Sequence, residues 1–140
     1  WRFGRFFEAK VAAELSDFLS RCDAERDGFW TVSRDGRVEG SIAIDAERAE
    51  FEGAHLRWFI LSDALRGKGY GHRLMKAAMA LCEDKGYSTY LWTFEGLNPA
   101  RHLYEKFGFR LVEQQEGDGW GVTVNEQRFV RNAAKLKPAS

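Results

Sequence analysis

The chain has 140 residues, of which 44% are hydrophobic, and its 21 Lys and Arg are balanced by 21 Asp and Glu. That size holds one ordinary core without metals or disulfide staples, and that composition excludes a disordered or fibrous chain. Zero net charge excludes the global basic field that gathers nucleic acid or anionic membrane, so no nucleic acid is expected through this domain and any anion must be held locally.

In chain order, Phe7, Val11, Leu15 and Phe18, supported by Leu19, recur at the spacing of one helical face and predict an amphipathic helix over Phe6 to Leu19. "GFWTVSRDGRVEGSIAI" predicts two antiparallel strands around Asp35-Gly36, a dipeptide suited to the positive φ values of a tight hairpin. "AHLRWFILS", Ala54 to Ser62, predicts a central strand, continuously apolar in its second half as if covered on both faces. After the glycine-rich "LRGKGYG", Leu74, Ala78, Leu81 and Cys82 mark one face of a helix that Gly86 stops. "STYLWTF" is the next strand. Asn98-Pro99 reads as an N-cap and first helical residue, with Ala100, Leu103 and Phe107 as the apolar stripe and Gly108 as the end. "FRLVEQ" and "TVNEQRFV" predict two last strands joined by "EGDGWG". The helix from Gly71 to Lys85 is expected to cross between two parallel neighbours.

The fold class is therefore α/β in the α+β sense, a mixed and mostly antiparallel sheet with helices on both faces. Residues 1–132 read as one domain and 133–140 as a frayed tail. No apolar stretch approaches the roughly 20 residues of a membrane span, so no membrane partner is expected. Cys22 and Cys82 have neither metal-ligand spacing nor scaffold density, no metal site is expected, and without a secretory signal the expected location is the cytoplasm. The first residue, Trp1, suggests a fragment, a processed chain or one domain of something longer.

Arg66 to Gly71 raises the question of function. The dinucleotide fingerprint fails because His72 occupies the place its last glycine would need, and a P-loop fails because Lys68 is followed by Gly69. What remains is a strand-to-helix turn, either purely structural or an anion seat. Bare glycines allow close approach, helix-start amides point outward, and Arg66, Lys68 and His72 add donors.

"RGKGYG" resembles the Arg/Gln-x-x-Gly-x-Gly/Ala element of the GNAT family of N-acetyltransferases, and "NPARHLYEKFGF" resembles that family's Asn-to-Tyr helix and Gly-Phe exit, in family order. The resemblance is clearest from Ala54 to Val112. "LWTFEGLNPARHLYEKFGF" further resembles acetyltransferase domains fused behind MarR-type DNA-binding domains. One departure is that the family's first strand has no counterpart before the Phe6 helix, which leaves a sheet edge that would invite pairing of two copies into a homodimer.

The resemblance implies acetyl-CoA as cosubstrate, with its pyrophosphate on Arg66, Gly67, Lys68, Gly69, Tyr70 and Gly71, beside His72. It implies a pantetheine arm between two splayed strands, met by the backbone of Leu61 on one side and by Asn98 on the other. An amine acceptor follows, as does Tyr104 as general acid for the departing thiolate; an ordinary tyrosine pKa near 10 lies above the roughly 8.5 of a thiol. The bland reading of Tyr104 is an aromatic packing beside Leu103, and that of Asn98 is a helix cap. For the base, Glu95 ranks first, ahead of Glu52 and His55. His102 reads as an exposed or packing histidine. Trp58, Phe59 and Trp92 read as core, and Trp30 and Trp120 as candidates to border an acceptor pocket. The alternative to an N-acetyltransferase is a non-catalytic acyl-CoA-sensing or interaction domain of a larger regulator.

Overall fold

Asp35 and Gly36 both take positive φ, 51° and 76°, the pair of left-handed residues that a two-residue hairpin turn needs to match strand twist. The computed structural model describes residues 5–62, 65, 67–94, 98–117 and 124–133. Helix α1 (Arg5–Arg21) precedes that hairpin of β1 (Gly28–Arg34) and β2 (Arg37–Asp45). A one-turn helix α2 (Ala49–Glu52) leads to β3 (Ala54–Leu61). Then come α3 (Tyr70–Lys85), β4 (Thr89–Phe94), α4 (Asn98–Lys106), β5 (Arg110–Gly117) and β6 (Val124–Arg131). The strand order is β1-β2-β3-β4-β6-β5, antiparallel except for β3 beside β4.

The expected order of elements holds, with α2 as the element that four residues gave too little periodicity to predict. Boundaries move by a residue or two. Asn98 is the first helical residue of α4 and not its flanking cap, and Phe107 falls in the turn beyond the helix, still packed against the core. The side chains of Phe7 and Val11, and residues 118–123 and 134–140, lie outside what is described. Ala133, the last described residue, donates its N–H to Ser88 Oγ at 3.2 Å.

The core lies under α3. Leu74, Met75, Ala78, Met79 and Cys82 bury one helical stripe against Ile42, Ile44, Ala54, Leu56 and Leu91. Burying side chains of this size contributes about 1.5–3 kcal/mol each. α4 covers the same face further along, where Tyr104 packs near Phe129 at 6.0 Å and Phe109 at 6.1 Å. α1 takes the opposite face: Phe18, fully buried, lies 5.4 Å from Trp58 and 6.4 Å from Phe29. Leu19, expected on the helix's buried stripe, is instead exposed.

Two expectations for β3 and β4 need correction. Ile60 in the apolar half of β3 is exposed, so the cover expected on both faces does not extend to it. Trp58 and Trp92 are half-buried and belong to the face away from α3, outside the core cluster; Phe59 does pack against it.

Candidate active site

The parallel β3–β4 ladder ends almost as soon as it begins. It pairs Ala54 with Thr89 and His55 with Tyr90 and goes no further, so the two strands part toward their C-terminal ends. On the wall formed by β3, part of the main chain turns away from β2. Ser62 donates its N–H to Glu39 O at 2.8 Å and its hydroxyl to the Glu39 carboxylate. Glu39 and Ser62 thus face each other as a hydrogen-bonded pair, which makes Gly40 and Leu61 the non-hydrogen-bonded pair beside them. Both main-chain polar groups of Leu61 therefore turn away from β2, toward the opening.

A bulge sets the rest of that wall. Ser41 pairs with Ile60 and Ala43 with Arg57, so β3 carries one extra residue. Trp58 sits there with φ 48°, a left-handed conformation that is strained for a bulky side chain. Three contacts hold it: Ser41 Oγ donates to Trp58 O at 2.7 Å, the Arg57 guanidinium lies 4.2 Å from the indole centroid, and Phe18 packs alongside. In a trans peptide the N–H points opposite to the C=O. With the Trp58 carbonyl turned to Ser41 on β2, the Phe59 N–H faces the opening as well.

Two buried residues carry hydroxyls on this part of the sheet, one on β4 and one on α4. Thr93, 5% exposed, has a buried Oγ1 without a hydrogen-bond partner among the described residues. Tyr104 is equally buried, 6.2 Å from Phe59 between ring centroids, and its hydroxyl makes no hydrogen bond among the described residues. Burial alone pushes its pKa well above the ordinary tyrosine value, so it is fully protonated at neutral pH. It packs in the core, against Phe59, Phe109 and Phe129.

At the mouth lies the glycine loop. Leu65, 2% exposed, anchors it below β3, while Gly67 and Gly69 take φ 74° and 81° with open space where a Cβ would stand. Gly69 caps α3 without a side-chain hydrogen bond, so the first helical amides, at Tyr70, Gly71 and His72, have no intrahelical acceptor. Gly71 is buried for a different reason: a Cβ would come within 3.1 Å of Leu61 Cδ1 and 3.4 Å of Leu103 Cδ2, where α3 meets the strand and α4. Lys68 is exposed, and the half-buried His72 ring lies 5.0 Å from Phe107. Asn98 is the first residue of α4. Arg66, Glu95 and Trp120 lie outside the described residues.

The remaining candidates scatter. His55 stacks on Tyr90 at 4.6 Å and 13°, at the point where the ladder stops, and burial, then Arg57, lower its pKa to about 4. Glu52 is exposed and paired with Arg48 at 3.6 Å. His102 is exposed. Trp30 packs against the core on the α3 face. Sequence reasoning missed Ser41, Thr93 and the amide of Phe59. No local signal marked them, because each depends on a bulge or a strand register that only the fold supplies.

Among the described residues no helix is long and apolar enough to cross a membrane, and no group of three or more His, Cys, Asp or Glu is placed to hold a metal. Residues 1–109 match the model of the Acetyltransferase (GNAT) family. No curated protein matches the chain in sequence. Among solved structures, the chain is similar to the ribosomal-protein-S18-alanine N-acetyltransferase of Escherichia coli, with TM-score 0.69, 15% identity, and 89% of this chain and 80% of that one covered. It is similar to an acetyltransferase of the GNAT family from Staphylococcus aureus Mu50, with TM-score 0.69, 17% identity and coverage of 94% and 81%. It is also similar to an acyl-CoA N-acyltransferase from Pseudomonas aeruginosa, with TM-score 0.58, 25% identity and coverage of 75% and 68%.

Proposed function

Because the chain belongs to the Acetyltransferase (GNAT) family, whose cosubstrate is an acyl-CoA, we propose that it moves an acetyl group from acetyl-CoA to a primary amine of a small molecule or peptide. The observation that carries this reading is the opening between β3 and β4, with the Leu61 main chain turned toward it and a helix start without a side-chain cap at its mouth. A thioester on a long polar arm fits such a slot, because the arm can add to the edge of β3 as a neighbouring strand would.

On this reading the pyrophosphate rests on the main-chain amides from Gly67 to Gly71, with Arg66, Lys68 and His72 around it. Leu61 meets the pantetheine arm from β3 and Asn98 meets it from α4. The Phe59 N–H, aimed by the hold of Ser41 on Trp58, is available to the carbonyl oxygen as charge develops there. Tyr104 faces the departing sulfur. Its raised pKa makes complete proton transfer to a thiolate of pKa about 8.5 uphill, so its contribution is chiefly a strong hydrogen bond to the forming thiolate. His55, with a pKa of about 4, is too weak a base to deprotonate an ammonium directly. An ordinary carboxylate is no stronger, so any of the three candidates acts through a relaying water, and Glu95 is kept first for its place just after β4 in the sequence.

The reading also puts the chain in the cytoplasm, where Cys22 and Cys82, both free thiols, stay reduced. Pairing of two copies along the edge of β1 and attachment behind a MarR-type DNA-binding domain complete the proposal.

The test combines calorimetry with acetyl-CoA and thiol release over a panel of amines. Acetyl-CoA binds the intact protein, and Arg66→Glu weakens that binding. Acceptor-dependent release falls about 100-fold in kcat in Tyr104→Phe, with KM for acetyl-CoA little changed. Tight binding with no acceptor-dependent release would identify a non-catalytic acyl-CoA-sensing domain. No binding, with Arg66→Glu making no difference, would overturn the reading.

A further inference from the structure

The family assignment leaves open what carries the accepting amine, and the sheet face turned away from α3 and α4 bears on it. Leu91 and Phe129 point into the core, so by strand alternation their neighbours Tyr90, Trp92 and Arg128 project from the other face. Trp92 and Arg128 stand directly opposite each other in the β4–β6 register. The Arg128 guanidinium carbon lies 5.2 Å from the centroid of the Tyr90 ring, and Tyr90 stacks in turn on His55. Since His55 and Tyr90 are the last pair before β3 and β4 part, the rings run from the apex of the opening to Arg128.

Two cations share this face and differ in their partners. Arg57 is neutralised: Nη2 donates to Glu14 Oε2 at 2.7 Å, and Nη1 lies 3.4 Å from Asp45 Oδ2. Arg128 makes no ion pair among the described residues, although Glu113 stands opposite it in the β5–β6 register. It is half-buried, with one side laid on an aromatic ring. A guanidinium so placed keeps its fork of donors for a planar anion and repels a second cation. It stands one strand, about 5 Å, beyond the β4 wall of the opening, a distance that an amino acid together with the arginine side chain can span.

We infer that the acceptor is an amino carboxylate of about amino-acid size. Its carboxylate pairs with Arg128, its body lies on Tyr90 and Trp92, and its amine reaches the thioester in the opening. A polyamine or a lysine-rich peptide would bring further positive charge against Arg128 and is disfavoured. This inference rests on the acyltransfer reading above and names the substrate class of that same site.

The experiment compares matched acceptors, each amino acid against its own carboxamide, for example phenylalanine with phenylalaninamide and glycine with glycinamide. Thiol release from acetyl-CoA is followed with the native protein, Arg128→Gln and Arg128→Lys, and acetyl-CoA binding is measured on the same samples. The carboxamide's amine is the less protonated at neutral pH, so a preference for the acid reports recognition and not reactivity. The native protein favours the acid by about 10-fold or more in kcat/KM, through KM. Arg128→Gln reduces that preference to about twofold, and Arg128→Lys, which keeps the charge, retains part of it. Equal use of acid and amide, a preference that survives in Arg128→Gln, or no amino carboxylate accepted by a protein that binds acetyl-CoA would each overturn the inference. Failure of the native protein to bind acetyl-CoA would instead overturn the acyltransfer reading.

Discussion

Where α1 crosses β2 and β3, charges meet partners; where β3 leaves β4, polar groups stand alone. In the first region Arg21 grips Asp45 with two hydrogen bonds of 3.0 and 2.6 Å, and Arg57 links Asp45 to Glu14. Asp27 accepts from the main chain of Ala46 at 2.7 Å and of Asp23 at 3.0 Å, and from Arg26 at 2.9 Å. In the second region neither the buried Thr93 hydroxyl nor the Tyr104 hydroxyl has a partner among the described residues. The β3 main chain beyond His55 has no ladder partner on β4. A buried polar group left unpaired costs about 1–3 kcal/mol. The first region stabilises the fold by itself, whereas the second, on the reading proposed above, keeps its polar groups for a ligand.

Breaking the first region should therefore cost stability and spare ligand binding. Asp45→Ala leaves Arg21 and Arg57 without their shared acceptor and should lower the unfolding free energy by about 3 kcal/mol, read from urea denaturation, with acetyl-CoA affinity unchanged. The pH dependence has a definite sign. Burial raises the Asp45 pKa, but the hydrogen bonds from Arg21, the Glu47 amide and nearby positive charge outweigh it and hold the folded-state value below the ordinary one. The stabilisation is thus present above the unfolded pKa of about 3.9 and is lost as pH falls through the lower folded value. A variant as stable as the native protein, or one that loses acetyl-CoA, would erase the contrast.

His55 stands at the junction of the two regions. Its folded pKa of about 4 lies below the unfolded value near 6.5, so between these values the unfolded chain binds more protons and stability rises with pH. Going from pH 7 to pH 5 should cost the native protein up to about 2 kcal/mol from this residue. His55→Gln should lose most of that slope in paired urea melts; an unchanged slope would place its origin elsewhere.

The smallest effect sharpens the comparison most. Thr93→Val removes a buried hydroxyl that has no partner among the described residues, so stability should stay within about 0.5 kcal/mol or improve, while acetyl-CoA binds more weakly. A loss above about 1 kcal/mol would mean that the hydroxyl is satisfied in the free protein.

The order of elements was legible because it rests on short-range signals: helical stripes, Asp35-Gly36, and glycines at helix ends. The loop was legible for the same reason, since Gly67 and Gly69 take the positive φ values that favour glycine. The divergence of β3 from β4 was not. "AHLRWFIL" reads as a strand whose second half is covered on both faces, and nothing in its composition says that its pairing with β4 ends at Tyr90 or that Trp58 adopts φ 48°. Ser41 and Arg128 were invisible for a related reason. Ser41 reaches Trp58 17 residues away in sequence, and Arg128 reaches Tyr90 across a β4–β6 register that no local pattern fixes.

The most direct test of the central claim, that the opening between β3 and β4 and the loop at its mouth form the acyl-CoA site, is residue-resolved amide hydrogen exchange with and without saturating acetyl-CoA. Binding should slow exchange at Phe59, Leu61 and Gly69 to His72, and leave the β1–β2 ladder unchanged. Saturation that leaves those amides unprotected, or that protects the β1–β2 ladder instead, would contradict it.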